Sequence, residues 1–233
     1  MNFSRLTQKI QYGQYPAVQR PNSEEAKRVS LDRKPALRNQ ARMARNQILD
    51  EIRTTHDRAI QNRIINHPWF INATQVLLYE AFDGEVATQR IAESAREAGK
   101  TIAYSRITAT PRQLEFIRPT TWSHTSMGLP VPQGPTCLVE DDALIIVPGV
   151  LFDLNGHRLG MGGGYYDNLL SNESAPSIGL AYEAQVVDEV PTFEWDLPID
   201  CLVTETTTYH FSDLEQKKWT GSRRLLGSSV ALP

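Results

Sequence analysis

Short apolar runs alternate along the chain with segments in which apolar residues recur at helical spacing. The run Ala143–Val147 is branched and uncharged, as expected of a strand buried on both faces of a parallel sheet. Helices are predicted at 86–98, where Gly99 provides a stop signal, and from Tyr165 to Leu170. The other predicted strands are Val76–Tyr79, Thr101–Tyr104, Ser177–Ala181 and Cys201–Thr204, with Leu114–Arg118 as a further candidate. This alternation predicts an α/β fold whose binding residues lie at the carboxyl ends of parallel strands.

The first long helical pattern extends from Pro35 to about Asn66, with a possible break at Thr54–His56. Pro35 suits a first helical turn, because its missing N–H costs nothing there. Lys34 and Arg38 are four residues apart at this helix start and therefore point the same way, a spacing that also fits a solvated helical face.

The two ends of the chain are polar. We therefore predict a flexible extension at residues 1–33, a single domain at 34–211 and a weakly attached tail at 212–233.

The stretch that follows Ala143–Val147 is rich in glycine. Gly160, Gly162, Gly163 and Gly164 lie within five residues, and such a run weakens regular structure unless the backbone must approach a ligand closely. Backbone N–H groups here, together with the start of a helix near Tyr165, would form a cradle for phosphate. Arg158 can add a positive charge, and Asp167 a carboxylate able to hold Mg²⁺.

The glycine spacing alone also fits a tight connection. The loop lacks the Gly-Lys-Ser/Thr ending of a P-loop and the third glycine of the dinucleotide fingerprint.

Composition narrows the functional classes. The formal net charge of −3 disfavours extensive binding to nucleic acid. No apolar run reaches membrane-spanning length, so we expect a soluble, cytoplasmic protein. The two cysteines, Cys137 and Cys201, are not spaced as metal ligands, and Cys201 is expected to be a buried free thiol.

Three motifs in the same order resemble the 5-formyltetrahydrofolate cyclo-ligase family, also called 5,10-methenyltetrahydrofolate synthetases. They are Lys34-Pro-Ala-Leu-Arg38, the run from Pro148 to Asp167 that reads PGVLFDLNGHRLGMGGGYYD, and Glu194-Trp-Asp-Leu-Pro-Ile-Asp200. The resemblance extends from Lys34 to about Thr206. It implies a three-layer Rossmann-like fold with a mostly parallel sheet flanked by helices, similar to NagB, RpiA and CoA transferases.

The resemblance also implies an activity. Such an enzyme converts 5-formyltetrahydrofolate to 5,10-methenyltetrahydrofolate with ATP and Mg²⁺, releasing ADP and phosphate. Its partners would be the folate and ATP, without a membrane, and a monomer is favoured.

The roles that the resemblance implies divide the site into three parts. Lys34 and Arg158 are the expected catalytic residues, and Asp167 and Asp196 the expected Mg²⁺ ligands. Substrate is expected at Glu80, Glu85 and Met127, although an acidic loop is often only solvated surface and Met127 equally fits ordinary packing. The ATP phosphates are expected at Lys34, Arg38, Arg158, Leu159, Gly160, Met161, Gly162, Gly163, Gly164, Tyr165 and Tyr166.

Two alternatives stay open at this point. One is an inactive nucleotide- or RNA-binding relative with the same fold. The other is a ligase or kinase that uses a different small-molecule acceptor, because the segments expected around the folate match less well than the phosphate segments.

Overall fold

The computed structural model describes residues 24–126 and 128–211 of the 233-residue chain. The helices are α1 (Glu24–Asn46), α2 (Asp50–Ile65), α3 (Pro68–Asn72), α4 (Gln89–Glu97) and α5 (Tyr165–Asn172), with a 3₁₀ turn at Glu183–Gln185. The first strands are β1 (Gln75–Leu78), β2 (Thr101–Ile107), β3 (Leu114–Ile117), β4 (Thr121–His124), β5 (Pro130–Gln133), β6 (Thr136–Cys137) and β7 (Ala143–Val147). They are followed by β8 (Leu151–Asp153), β9 (Arg158–Leu159), β10 (Ser177–Leu180), β11 (Val186–Val187), β12 (Cys201–Val203) and β13 (Thr208–His210).

An eight-stranded sheet organises the fold, in the order β13-β12-β10-β7-β1-β2-β3-β6. The five central strands, from β12 to β2, run parallel to one another. The outer strands β13, β3 and β6 pair antiparallel. The remaining strands form a small sheet in the order β11-β8-β9 and a hairpin of β4 with β5. The predicted mostly parallel α/β sheet is thus confirmed, whereas the closer likeness to NagB and RpiA stays a prediction.

Strand β7 shows why the sheet is covered on both faces. Leu144 and Ile146 pack in a core cluster with residues of α2, α3 and α4. Ile145 and Val147, which point to the other face, pack with Leu169 of α5. All five residues of the strand are buried, so the uninterrupted apolar run reflects contact with both helical layers.

Helix α1 differs from the prediction at both ends. It begins at Glu24 rather than near Pro35, so Pro35 lies inside the helix and the predicted boundary at residue 34 falls within it. The first-turn preference of proline does not set the helix start here, and the chain also packs before Pro35, because Lys34 is buried and paired with Asp196. The part of the predicted extension at residues 1–23 lies outside the described residues, as does the predicted tail at 212–233.

The break between α1 and α2 is at residues 47–49, not at Thr54–His56 as predicted. The hydroxyls of Thr54 and Thr55 donate hydrogen bonds to the carbonyls of Asp50 and Glu51, at 2.8 and 3.0 Å. These bonds let both threonines sit within α2.

The predicted strand Cys201–Thr204 is present as β12, but it is not the last strand of the sheet. The chain turns after it and adds β13 antiparallel at the sheet edge. Within the described residues, no helix is long and apolar enough to span a membrane.

Candidate active site

A cavity of about 1470 Å³ opens at the carboxyl ends of the parallel strands β1, β2 and β7. Tyr79 and Glu80 follow β1, Ser105 and Arg106 end β2, and Pro148 follows β7. The cavity collects every predicted site residue except Met127, which lies outside the described residues. Those residues are Lys34, Arg38, Glu80, Glu85, Arg158, Leu159, Gly160, Met161, Gly162, Gly163, Gly164, Tyr165, Tyr166, Asp167 and Asp196.

The glycine-rich loop runs directly into α5. Gly164 precedes the helix in a left-handed conformation with φ of 67°, and no side chain caps the helix. A Cβ atom at Gly163 would overlap the ring of Tyr165. The loop thus presents bare backbone and the uncapped first turn of a helix to the cavity, an arrangement that suits an anion.

Arg38 joins α1 to this loop. Its Nε donates a 2.8 Å hydrogen bond to the carbonyl of Gly160. A Cβ at Gly162 would lie 3.2 Å from its Cζ atom. Burial lowers the pKa of Arg38, and the nearby carboxylate of Asp196 opposes that shift. The helix that carries Lys34 and Arg38 therefore contacts the glycine loop.

Lys34 forms an ion pair with Asp196. Its Nζ lies 2.6 Å from Asp196 Oδ2, and the two side chains are only 10% and 16% exposed. The same oxygen accepts a 2.8 Å hydrogen bond from the backbone N–H of Phe193. The Phe193 ring also faces the ammonium, with its centroid 4.1 Å from Nζ. Because attraction between charges strengthens away from water, this pair fixes a cation at the cavity wall.

Arg158 connects three segments around the cavity. From β9, its Nη1 donates to the carbonyl of Leu197 and its Nη2 to Asp167 Oδ1, both at 2.9 Å. The guanidinium side chain is only 3% exposed. Burial lowers the pKa of Arg158, while Asp167 pulls it back. Arg158 therefore holds the first turn of α5 close to the segment that carries Asp196.

Each of the two predicted Mg²⁺ ligands keeps one carboxylate oxygen available for a metal ion. Asp167 uses Oδ1 for Arg158, and Asp196 uses Oδ2 for Lys34 and Phe193. Within the described residues, Asp167 Oδ2 and Asp196 Oδ1 take part in no hydrogen bond or ion pair. Carboxylate oxygens are the donors that Mg²⁺ prefers, so these two residues fit such an ion.

The opposite wall carries the acidic residues that follow β1. Glu85 accepts a 3.2 Å hydrogen bond from the N–H of Phe82, and burial raises its pKa against the opposing charge of Arg45. Burial also raises the pKa of Glu80. Both residues are thus carboxylates at the cavity that water solvates incompletely, as is common at functional sites.

Tyr166 lies between the two walls. Its hydroxyl donates a 3.1 Å hydrogen bond to Ser105 Oγ, which ties α5 to β2. Burial raises the pKa of Tyr166, so this phenol is neutral at physiological pH.

Sequence reasoning missed Arg112 and Phe193, which also line the cavity. Arg112 comes from the turn between β2 and β3 and has a left-handed backbone with φ of 59°. Its Cδ would lie 3.6 Å from a Cβ at Gly164, and it forms no ion pair with a described carboxylate. No local pattern marks an arginine in a polar turn, so only its position beside the glycine loop identifies it.

Comparison with known proteins gives consistent results. The model of the 5-formyltetrahydrofolate cyclo-ligase family matches residues 30–205. The 5-formyltetrahydrofolate cyclo-ligase of Escherichia coli K12 is 31% identical over 159 residues, which cover 64% of this chain and 87% of that protein. The corresponding protein of Haemophilus influenzae is 36% identical, covering 56% of this chain and 76% of that protein. The solved structure of Aquifex aeolicus 5,10-methenyltetrahydrofolate synthetase superposes with a TM-score of 0.68 at 29% identity, covering 78% of this chain and 94% of that one.

Proposed function

The chain belongs to the 5-formyltetrahydrofolate cyclo-ligase family, and we propose that its large cavity converts 5-formyltetrahydrofolate to 5,10-methenyltetrahydrofolate at the expense of ATP. The observation that carries the proposal is the meeting of the glycine loop with Lys34, Arg38 and Arg158, which come from α1 and β9. A cavity of about 1470 Å³ has room for a nucleotide and a folate side by side.

The chemistry requires activation of a poor leaving group. The formyl oxygen attacks the γ-phosphorus of ATP, and the bond between this phosphorus and ADP breaks. The resulting phosphorylated imine carries the phosphate on the former formyl oxygen. The N10 lone pair then attacks the formyl carbon, N10 loses its proton, and phosphate departs with the oxygen. For such a transfer the protein mainly positions the two reactants in line and neutralises phosphate charge.

We assign the phosphate end of the cavity to the loop and its cations. Backbone N–H groups from Leu159 to Tyr166 hold the phosphates, with Met161 at the exposed edge of the loop. Lys34 and Arg158 face the transferring phosphoryl group, and Arg38 holds the loop through Gly160. Arg112 adds a cation beside Gly164.

We assign Mg²⁺ to the free oxygens of Asp167 and Asp196. The ion would supply charge neutralisation between neighbouring phosphate oxygens. Arg158 and Lys34 hold the two carboxylates in place.

We assign the folate to the wall that carries Glu80 and Glu85, with Met127 beside the pterin. A pterin presents N–H groups, for which partly desolvated carboxylates are strong acceptors. Tyr166, neutral and held by Ser105, closes this wall. We further propose a cytoplasmic monomer that does not act on nucleic acid, in line with the net charge of −3.

The purified chain mixed with 5-formyltetrahydrofolate, ATP and Mg²⁺ tests the proposal. The methenyl chromophore should appear, and only when nucleotide and divalent ion are both present. Full-rate product without ATP would exclude the mechanism. ADP release without the chromophore, on addition of another acceptor, would instead support a ligase or kinase with a changed substrate.

A further inference from the structure

Three side chains with metal-binding atoms meet at a place remote from the cavity. His67, Cys201 and His210 each direct one ligand atom into a cluster in which these atoms lie within 4.8 Å of one another. Cys201 Sγ is 4.0 Å from His67 Nε2. None of the three lines the active-site cavity. Cys201 begins β12, so the cluster lies toward the amino end of a strand that runs parallel to β10 and β7, whereas the cavity opens beyond the carboxyl end of β7.

The fold, rather than the local sequence, brings the three residues together. Cys201 and His210 are cross-strand partners in the antiparallel pair of β12 and β13, so their side chains share one face of the sheet. His67 precedes α3, and its ring stacks on that of His210 with centroids 5.7 Å apart and an angle of 26°. The spacing of the two cysteines in the sequence does not reveal this cluster, because only one of its three candidate ligands is a cysteine.

We propose that His67, Cys201 and His210 bind a transition-metal ion of the zinc class. Imidazole nitrogen and thiolate sulfur are ligands that Zn²⁺ takes in proteins, and zinc sites with three protein ligands combine such groups. Three protein ligands leave a fourth position open. Since His210 is exposed while His67 and Cys201 are buried, this fourth position faces solvent and takes water.

Binding requires a modest closure of the cluster. With metal–ligand bonds of about 2.0–2.3 Å in a tetrahedron, the ligand atoms end roughly 3.3–3.7 Å apart. Separations that lie within 4.8 Å must therefore shrink by at most about an ångström. Exposed His210 can provide this by turning about its side-chain torsions, while buried His67 and Cys201 stay in place.

His67 already has a structural role that metal binding must displace. Its Nδ1 accepts a 3.2 Å hydrogen bond from the N–H of Trp69 and so caps α3. A metal on Nε2 moves the ring proton to Nδ1, and this long capping bond is then lost in exchange for a metal–ligand bond. Capping and packing explain His67 and Cys201 without a metal. Ring contacts with His67 and Trp69 position the imidazole of His210, but within the described residues its nitrogens form no hydrogen bond.

Metal titration of the full-length chain, after chelation and reduction, tests the proposal with Co²⁺ and Zn²⁺ as probes. We expect one equivalent of Co²⁺ to bind and to give the near-ultraviolet absorption of a cobalt–thiolate bond, which Zn²⁺ then abolishes. His210→Gln, His67→Asn and Cys201→Ser should each weaken binding at least tenfold. Cys137→Ser and His124→Gln remove a cysteine and a histidine outside the cluster and should bind as wild type does.

His210→Gln changes an exposed side chain, and His67→Asn keeps a good capping residue, so both variants should fold even where Cys201→Ser does not. Unfolding curves check this, and cyclo-ligase turnover should be unchanged in His210→Gln. Absence of the thiolate band in the wild type, or equal binding by wild type and folded His210→Gln, would overturn the proposal.

Discussion

The cations of the cavity differ in how their charge is balanced. Lys34 and Arg158 are buried and paired with Asp196 and Asp167, whereas Arg112 is exposed and pairs with no described carboxylate. A paired cation is already oriented and gains less from a phosphate than a free one does, because its partner offsets part of the attraction. Arg112 is therefore the residue whose charge is most fully available to a nucleotide.

Replacement of Arg112 should separate stability from binding. A left-handed backbone costs a residue with a side chain about 1–2 kcal/mol. Arg112→Gly removes this strain and the cation together, so we expect the free energy of unfolding to rise by up to about 1 kcal/mol after the entropy of glycine is counted. The KM for ATP should rise at least tenfold. Urea unfolding and steady-state kinetics on the same sample measure both, and an unchanged KM would remove Arg112 from the phosphate site.

Replacement of Glu85 should change the free energy of unfolding by an amount that depends on pH. Burial raises its pKa, with Arg45 and the Phe82 N–H opposing. A carboxyl group whose pKa is higher in the folded than in the unfolded chain stabilises the folded state at pH values below the unfolded-state pKa of about 4.3. This stabilisation is lost as the pH rises through the folded-state pKa. Glu85→Gln keeps the shape without the charge, so the variant should be more stable than wild type at pH 7 and lose that advantage near pH 4. Turnover should fall.

Unfolding midpoints at several pH values, compared with those of the exposed-surface variant Glu97→Gln, test this assignment. An advantage of Glu85→Gln that does not change between pH 4 and pH 7 would show that the charge of Glu85 is not the cause.

Among the elements, the glycine loop offers a matched pair of substitutions. A Cβ at Gly163 would overlap the Tyr165 ring, whereas a Cβ at Gly160 meets no other atom within 4 Å. Gly163→Ala should therefore lower both stability and activity, because the Tyr165 ring or the loop itself must shift. Gly160→Ala should keep wild-type stability and weaken only ATP binding, since the open space beside it is where we place phosphate. Thermal unfolding and the KM for ATP distinguish the two, and full activity in both variants would contradict the assignment.

The elements that could be predicted are those whose pattern reflects local burial. Ala143–Val147 was recognisable as a central strand because both its faces are covered by helices. The predicted start of α1 was wrong because the proline signal is local, whereas Lys34 on its amino-terminal side is held by an ion pair with the distant Asp196. In the cavity, the glycine loop was visible from composition, but Arg112 reaches it from a turn 52 positions before Gly164. No local sequence pattern includes both Arg112 and the glycine loop, so their proximity is visible only in the folded chain.

At the scale of the whole molecule, α1 defines how far the chain can be shortened. The family match begins at residue 30, while α1 begins at Glu24 and carries Lys34 in its middle. Deletion of residues 1–23 should leave turnover within about twofold. Deletion of 1–33 places Lys34 at a free helix end, where terminal turns fray, and should raise the KM for ATP. Equal loss of activity in both truncations would show that residues before Glu24 contribute to the site.

The ion pair of Lys34 with Asp196 joins positions 162 residues apart. At a synthesis rate of about 5–20 residues per second, roughly 8–32 s pass between the two residues during translation. Until then Lys34 has no counter-charge, the segment that Arg158 holds through Leu197 does not exist, and the wall of the cavity is incomplete. A nascent chain can thus form its first helices early, yet its cavity cannot hold a nucleotide in place until Asp196 and Leu197 have been synthesised.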